Sequence, residues 1–455
     1  MATQHRHPTG LDAHQPSNRK PSGGSSLTRR EMLKRTLLTG GAVAAPCIVP
    51  GSVLGLNGTV PPSERILLGG IGIGGRGSFV LQWMLPEKDV QFVAVCDAQR
   101  SRREGVKQMV DQHYANKDCK VYGDMREFLA SRTDIDAVLI ATGDRWHATA
   151  AVMAMRAGKD VYSEKPSCMT IAQGQAVVDT AKRYGRVYQT GTQRLSEANF
   201  VWCIEAAKSG KLGKVHTARA QISGGEAELS HDWLPAEPEP TKDEVDWDLW
   251  LGPCPWRPYN STYVKGGWRG HYDFHTSCIG EWGAHTFAQA QAGLDMLDTS
   301  PVEYEYVNNR TGDGMVTRFA NGAKMILHQG GYWKGPCGMR FEGPEGWVSA
   351  ADWDPKPVVS NPALLADFDK VVADYIARTG RPMNHVRDFF NCVKSRQPTV
   401  ASPEVMHHSM STVHAANICM WLKRNMRYDP AKQEFAGDAE ANRLRTRAMR
   451  APWMI

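Results

Sequence analysis

Ten cysteines are spread over 455 residues without one C-x-x-C pair or metal-finger spacing, which argues against a disulfide framework and against a structural zinc site. Long apolar runs are missing too. The stretch Thr36 to Val43 is only modestly apolar, holds two glycines and is too short for a stable membrane span. Basic charge is scarce once its location is considered. Of the formal net charge of +6, +5 lies in residues 1–44, where seven Arg and Lys face Asp12 and Glu31. The remainder stands at +1, so nucleic acid is not an expected partner. No internal repeat is visible.

What is present begins with an address. The first 26 residues are rich in His, Pro, Ser, Asn and Gly and read as a disordered extension. Then comes "TRREMLK" with Arg29 and Arg30 paired, a short apolar stretch, and the small residues Ala42, Ala44 and Ala45. Basic region, apolar region and small-residue cleavage site in that order form a twin-arginine export signal. Cys47 is not read as a lipid-attachment site, because Pro46 stands where a small residue is required. The expectation is a protein exported already folded, to the periplasm or beyond, with the twin-arginine machinery as a partner. Cysteines that fold in a reducing cytoplasm are expected to be buried small apolar residues.

From Arg65, strand-like runs alternate with helix-like ones: "RILLGGIG", "VQFVAVCD", "IDAVLIAT", "DVYSEKP" and "RVYQTGT" are separated by amphipathic segments. This is the pattern of an α/β fold with a doubly wound parallel sheet. Beyond Thr192 the character changes. A helix and a strand lead into a loop-rich region, 230–285, with six tryptophans; "VEYEYVNN", "GMVTRFA", "AKMILHQGG" and "GMRFEGPEGWVSA" then read as antiparallel strands. A helical tail is expected from about Asn384. The division is 1–60 for extension and signal, 61–191 for a Rossmann domain, and 192–455 for an α+β substrate domain with a largely antiparallel open sheet. One face of that sheet could cover the ligand crevice, and an exposed sheet face would suit a homo-oligomer.

The run "GGIGIGGRGSFV" contains Gly72-Ile73-Gly74-Gly75-Arg76-Gly77, a G-x-G-x-x-G between a strand and a helix. Glycines at those positions permit a tight turn, close approach of a pyrophosphate, and close helix packing, with the helix N-terminus toward the phosphates. Asp97, twenty residues past Gly77, ends the next strand where an acid accepts hydrogen bonds from an adenosine ribose and repels a 2'-phosphate. NAD is therefore the expected cofactor. Arg100, Arg102 and Arg103 just beyond leave NADP as the alternative. Glu164, Lys165 and Pro166 close a later strand, where ligands of such folds bind; a lysine there can stabilise a developing alkoxide.

The glycine fingerprint, "ATGDRWHA", "EKP", "QTGTQR" and "GEWGAH", in this order and spacing, resemble the glucose-fructose oxidoreductase, inositol dehydrogenase and rhizopine-catabolism (Gfo/Idh/MocA) family over residues 65 to about 425. The resemblance implies that Gly72, Gly74, Gly75, Arg76 and Gly77 hold the pyrophosphate and Asp97 the ribose. It implies that Thr142 and His147 line the middle of the cofactor, that Glu164, Lys165 and Gln193 belong to its site, and that Lys165 also reaches the reacting hydroxyl. His285 matches the family's general base. Glu281, a further candidate catalytic residue, stands where aspartate is usual, and Ala288 where an acid often follows. The implied substrate is a sugar or glycoside.

"GHYDFHTSCIGEWGAH" also places His271, Asp273 and His275 at alternate positions, on one face if the segment is extended. They are either the polar lining of a sugar pocket or candidate ligands of a divalent metal. Export adds a constraint of its own. Outside the cytoplasm no free NAD pool exists, so the cofactor must stay bound and be regenerated in place. Two enzymatic schemes satisfy this: oxidation of one sugar coupled to reduction of a second acceptor, or a redox-neutral cleavage of a glycoside through a 3-keto intermediate. A non-catalytic carbohydrate- or nucleotide-binding protein is the alternative from another class.

Overall fold

The computed structural model describes residues 60–455 apart from 223–227, 308–313 and 329. The extension and the paired-arginine leader lie outside the described residues.

Strands β1 (Ile66–Ile71), β2 (Val90–Cys96), β3 (Lys120–Tyr122), β4 (Ala137–Ile140), β5 (Asp160–Ser163) and β6 (Tyr188–Thr190) form a parallel sheet in the order β3-β2-β1-β4-β5-β6. All four residues of β4 and of β5 are buried, as expected for strands covered on both faces. β3 is absent from the sequence reading: three residues at a sheet edge are too few to show a period. Between the strands run α1 (Gly75–Met84), α2 (Arg100–Tyr114), α3 (Met125–Ser131), α4 (Asp144–Arg156) and α5 (Ile171–Tyr184). Asp124 and Thr170 cap α3 and α5 by accepting from the Arg126 and Gln173 amides. Strand order reverses between β1 and β4, and the loops leaving their carboxyl ends part to form a crevice.

The second sheet has nine strands: β7 (Thr217–Gln221), β8 (Glu303–Glu305), β9 (Met315–Arg318), β10 (Lys324–His328), β11 (Gly338–Gly343), β12 (Gly346–Ala351), β13 (Val358–Val359), β14 (Met426–Asp429) and β15 (Glu434–Phe435). Their order is β13-β12-β11-β7-β10-β9-β8-β14-β15, antiparallel throughout except that β7 and β10 run parallel. With these strands go α6 (Ala198–Lys208), α7 (Trp247–Leu251), α8 (Ser277–Gly293), α9 (Phe368–Thr379), α10 (His385–Ser395), α11 (Pro403–Leu422) and α12 (Ala439–Arg443).

Two expectations need correction here. The tail is not helical throughout: after α10 and α11 the chain returns as β14 and β15 and extends the second sheet. α10 packs on the parallel sheet, where Val386, Phe389 and Phe390 share a core with Leu68, Phe92 and Tyr162. The segment carrying His271 to His285 is not extended. Turns around Trp268 to Phe274 lead into α8, of whose seventeen residues fifteen are buried. Such a helix is apolar or small on every side and shows no amphipathic period. The two residues left uncovered are Glu281 and Trp282.

The crevice is not roofed by a face of the second sheet. Its cover is the tryptophan-rich segment, which has a small core of its own built from Trp247, Trp250, Leu251, Tyr259, Tyr263 and Phe274, with the Trp247 and Trp250 rings stacked 4.8 Å apart.

Candidate active site

The glycine turn shapes the outer part of the site. Gly72 has φ of 68°, and a Cβ there would sit 2.2 Å from Thr142 Cγ2, so the turn can pass β4 only as glycine. A Cβ on Gly77 would stand 2.8 Å from that of Ala141, which is how closely α1 approaches the end of β4. Gly74 and Gly75 are different: nothing lies within 4 Å of a Cβ on either. Their bareness leaves open space at the N-terminus of α1, where free amides and the helix dipole favour an anion. At the end of β2, half-buried Asp97 accepts a hydrogen bond from the Gln99 amide at 2.8 Å. Burial outweighs that bond and the charges of Arg102, Arg103 and Arg145, and pushes its carboxyl up to about 6. A bare phosphate cradle, a helix N-terminus and an acid at the next strand's end together fit a dinucleotide.

The crevice opens inward to a chamber of about 280 Å³, with Arg76, Thr142, Trp268 and Arg269 lining both. Deeper in, Lys165 Nζ lies 3.7 Å from Glu281 Oε1 and 5.0 Å from the centre of the Trp282 ring. Burial opposes ionisation of Glu281, but His275, Lys165 and Arg269 outweigh it and hold the carboxyl down at about 2. His275 Nδ1 accepts from the Gly270 amide at 3.2 Å, so the ring proton sits on Nε2 and is donated to Glu281 Oε2, also at 3.2 Å. His285 is one turn beyond Glu281 on α8 and is buried. Burial, and then the charges of Arg194, Lys165 and Arg76, push its pKa well below 6.5, and its Nδ1 has no hydrogen-bond partner among the described residues. A neutral imidazole with an open nitrogen is a proton acceptor at neutral pH.

Residues 66–192 match the model of the oxidoreductase family's NAD-binding Rossmann fold, and residues 229–455 match that of its C-terminal alpha/beta domain. The chain belongs to the Gfo/Idh/MocA oxidoreductase family. Glycosyl hydrolase family 109 proteins of Shewanella pealeana and Shewanella baltica are 33% and 31% identical to it over 134 residues. The matched stretch spans 29% of this chain and 29% of each relative. Among solved structures, myo-inositol 2-dehydrogenase of Lactobacillus plantarum superposes with a TM-score of 0.56 at 14% identity, over 80% of this chain and all of the other. The WlbA dehydrogenase of Bordetella pertussis, solved with NADH and UDP-GlcNAcA, gives 0.57 at 13%, over 80% and 99%. These two likenesses concern the fold.

Within this Gfo/Idh/MocA frame the expected residues fall into three groups. Gly72, Gly74, Gly75, Arg76, Asp97 and Thr142 line the crevice; Glu164, Lys165, Glu281 and His285 line the chamber. Gly77 lies behind the cradle, packed on Ala141. His147, which also lines the chamber, and Gln193, which lines neither space, act as supports. The ring nitrogens of His147 face the carbonyls of Pro166 and Thr142 at 2.7 and 3.1 Å, tying together the loops after β4 and β5. Gln193 donates to Glu164 Oε1 at 3.0 Å and to the Tyr162 hydroxyl at 3.1 Å, while Arg76 approaches Glu164 Oε2 at 3.4 Å.

His271, Asp273 and His275 do not converge. Asp273 pairs with Arg257, His271 meets the edge of Tyr263, and His275 serves Glu281. Among the described residues no group of three or more His, Cys, Asp or Glu could hold a metal ion. The arginines after Asp97 divide: Arg100 and Arg103 are both engaged by Asp243, at 2.8 and 2.6 Å, and Arg102 faces the crevice with its charge uncommitted among the described contacts. Of the six tryptophans, Trp247 and Trp250 are packing, Trp233 and Trp256 are exposed, and Trp268 and Trp282 line the chamber.

Sequence reasoning missed Arg145 and Arg194. Arg145 is buried with its guanidinium 3.5 Å from the centre of the Trp250 ring, and its Nη1 has no partner among the described residues. Arg194 reaches the chamber while held by Asp352 through two bonds of 2.9 and 3.0 Å. "QTGTQR" and "ATGDRWHA" contain both residues, but nothing in a linear motif distinguishes an arginine that faces a cavity from one on the surface. The nine described cysteines are all buried free thiols.

Proposed function

We propose that this protein holds a nicotinamide dinucleotide firmly and uses it to oxidise and re-reduce a carbohydrate hydroxyl outside the cytoplasm, with residues 61–191 binding the cofactor and 192–455 the substrate. The observation that carries the reading is the chamber at the inner end of the crevice, where Lys165 and an unpartnered, neutral His285 line one cavity. The bound cofactor would supply the hydride acceptor. The chain's own residues would handle charge and protons: His285 takes the hydroxyl proton, Lys165 stabilises the alkoxide that develops, and Glu281, itself fixed by His275, orients the Lys165 ammonium. Trp268 and Trp282 offer ring faces to a pyranose. Asp97, with Arg100 and Arg103 tied to Asp243, favours NAD over NADP. The paired arginines of the leader support twin-arginine export with the cofactor already in place, and so a cycle that regenerates it in the protein.

A second reading has its own support. Glu281 puts a second ionised base beside Lys165, as an elimination at the carbon next to a transient ketone requires, and the 134-residue likeness is to glycosyl hydrolase family 109 proteins. In this reading the hydride returns to the same sugar and a glycosidic bond is cleaved without net oxidation.

One experiment separates these readings. The protein purified from its own export pathway is mixed with free sugars and with nitrophenyl glycosides in D2O, following nicotinamide absorbance, aglycone release and deuterium at the carbon beside the oxidised one. Reduction by free sugars supports the first reading; aglycone release with deuterium incorporation and no net reduction supports the second. A nucleotide-loaded protein inert to both would leave a binding protein.

A further inference from the structure

The outer end of the crevice has a wall to which the family's motifs contribute only Trp146. Arg76, Thr142, Trp268 and Arg269 are common to crevice and chamber and so mark the inner end. Asp124, Met125, Trp146, Leu249 and Trp453 line the crevice alone, on the side of Asp97. Trp453 comes from a segment that crosses the tryptophan-rich cover. Arg447 donates to the carbonyls of Tyr272 and His275, the latter at 3.1 Å. Arg450 pairs with Asp248 and donates to the carbonyls of Asp248 and Gly252 at 2.8 and 3.0 Å, capping the end of α7. Trp453 then packs edge-on against Trp146 at 4.9 Å, under the Arg126 guanidinium. It is 3% exposed, and its indole N–H has no hydrogen-bond partner among the described residues. A buried indole N–H normally finds an acceptor.

We propose that residues 447–453 are a clamp over the adenosine end of the crevice, with Trp453 contributing an aromatic wall and an N–H donor to the nucleotide base, and that this clamp sets the rate at which the cofactor leaves. The inference rests on the dinucleotide reading of the crevice but not on the proposed reaction. Arg450 is anchored to the cover and Trp453 to the crevice, so the clamp adds to the direct ties between cover and parallel sheet, which include the Trp146 indole N–H to the Leu249 carbonyl at 3.1 Å and Arg145 Nε to the Trp250 carbonyl at 2.9 Å.

The test is a chase. Protein loaded with NADH is mixed with excess ADP-ribose, and loss of bound-NADH fluorescence gives the dissociation rate. Trp453→Ala should raise that rate about 5- to 150-fold, the range for a lost base–aromatic contact. Trp453→Phe keeps the ring but not the donor and should fall between. Arg450→Gln, which touches only carbonyls and a carboxylate of the cover, should also accelerate release, and these two milder variants carry the test if the alanine variant does not fold. Dissociation rates equal to wild type in folded Trp453→Phe and Arg450→Gln proteins would overturn the clamp. A wild-type protein that reacts with no sugar or glycoside, but whose variants release NADH faster, would overturn the proposed reaction and leave the clamp supported.

Discussion

Asp97 gives the most quantitative handle on the cofactor. Its carboxyl is held at about 6 because burial outweighs the Gln99 amide and the neighbouring arginines. If only the ionised form accepts the two ribose hydroxyls, the side chain is fully competent at about pH 8, whereas roughly nine molecules in ten are protonated at about pH 5. NADH should therefore bind about 10-fold more weakly at the lower pH, and its advantage over NADPH should shrink by at least as much, since protonation also removes the repulsion of a 2'-phosphate. Asp97→Asn should abolish this slope. Titration of NADH and NADPH by fluorescence across that range, on protein stripped of nucleotide, measures all three quantities. The same shift makes a stability statement. A carboxyl whose folded pKa lies above 3.8 favours the protonated fold, a contribution present below that value and lost as pH rises through about 6, so Asp97→Asn should raise the melting temperature of the stripped protein at about pH 8. An NADH affinity that is level across the range in the wild type, or an equal slope in Asp97→Asn, would refute the assignment of Asp97 to the ribose.

The remaining expectations address chemistry, cradle and address. Lys165→Met and His285→Ala should each slow single-turnover reduction of bound NAD by about 10² to 10⁴-fold while mass spectrometry finds nucleotide content unchanged; a full-rate His285 variant would pass the base role to Glu281 or His275. Because burial and three nearby cations hold His285 neutral, the wild-type rate should stay level as pH falls through 6.5, and an acid limb centred there would remove His285 as the titrating base. Gly72→Ala places a Cβ 2.2 Å from Thr142 in a left-handed conformation, costing about 1 to 2 kcal/mol for the backbone alone, and should lose nucleotide on purification; normal retention would mean the turn does not shape the cradle. Replacing Arg29 and Arg30 by lysine should leave the protein in the cytoplasm on fractionation, and undiminished export would mean that the leader has another meaning.

The legible part of the molecule was the part made of repeated local rules. Glycine turn, apolar strand, helix and acid recur at fixed offsets in the parallel sheet, so β1, β2, β4, β5 and β6 could be read from pattern alone. α8 could not. His271, Tyr272, Asp273, Phe274 and His275 alternate as a strand would, while the helix that follows is buried on nearly every side and carries no 3.6-residue period. An extended segment would suit a metal site; the turns found in its place send Asp273 to Arg257 and leave His275 to orient Glu281. Long-range pairings were equally out of reach: Asp243 and Arg103 are 140 residues apart, and their pairing, which no local motif encodes, changes the case for a 2'-phosphate.

The same long-range pairings bear on the substrate. Four cations reach the chamber, and each has a carboxylate at hand: Arg76 with Glu164, Lys165 and Arg269 with Glu281, and Arg194 with Asp352. A cavity whose positive groups are already paired draws an anion less strongly than four free cations would, and a sugar acid would compete with these carboxylates for them. An uncharged polyol has no such competition. Its hydroxyls can bond to the paired groups as they stand, and in the proposed reaction charge would appear only when one hydroxyl gave up its proton to His285. At that moment the Lys165 ammonium, 3.7 Å from Glu281, would gain a second anion. That is an interaction stronger in the transition state than in the ground state, which is the condition for it to accelerate the reaction rather than merely tighten binding.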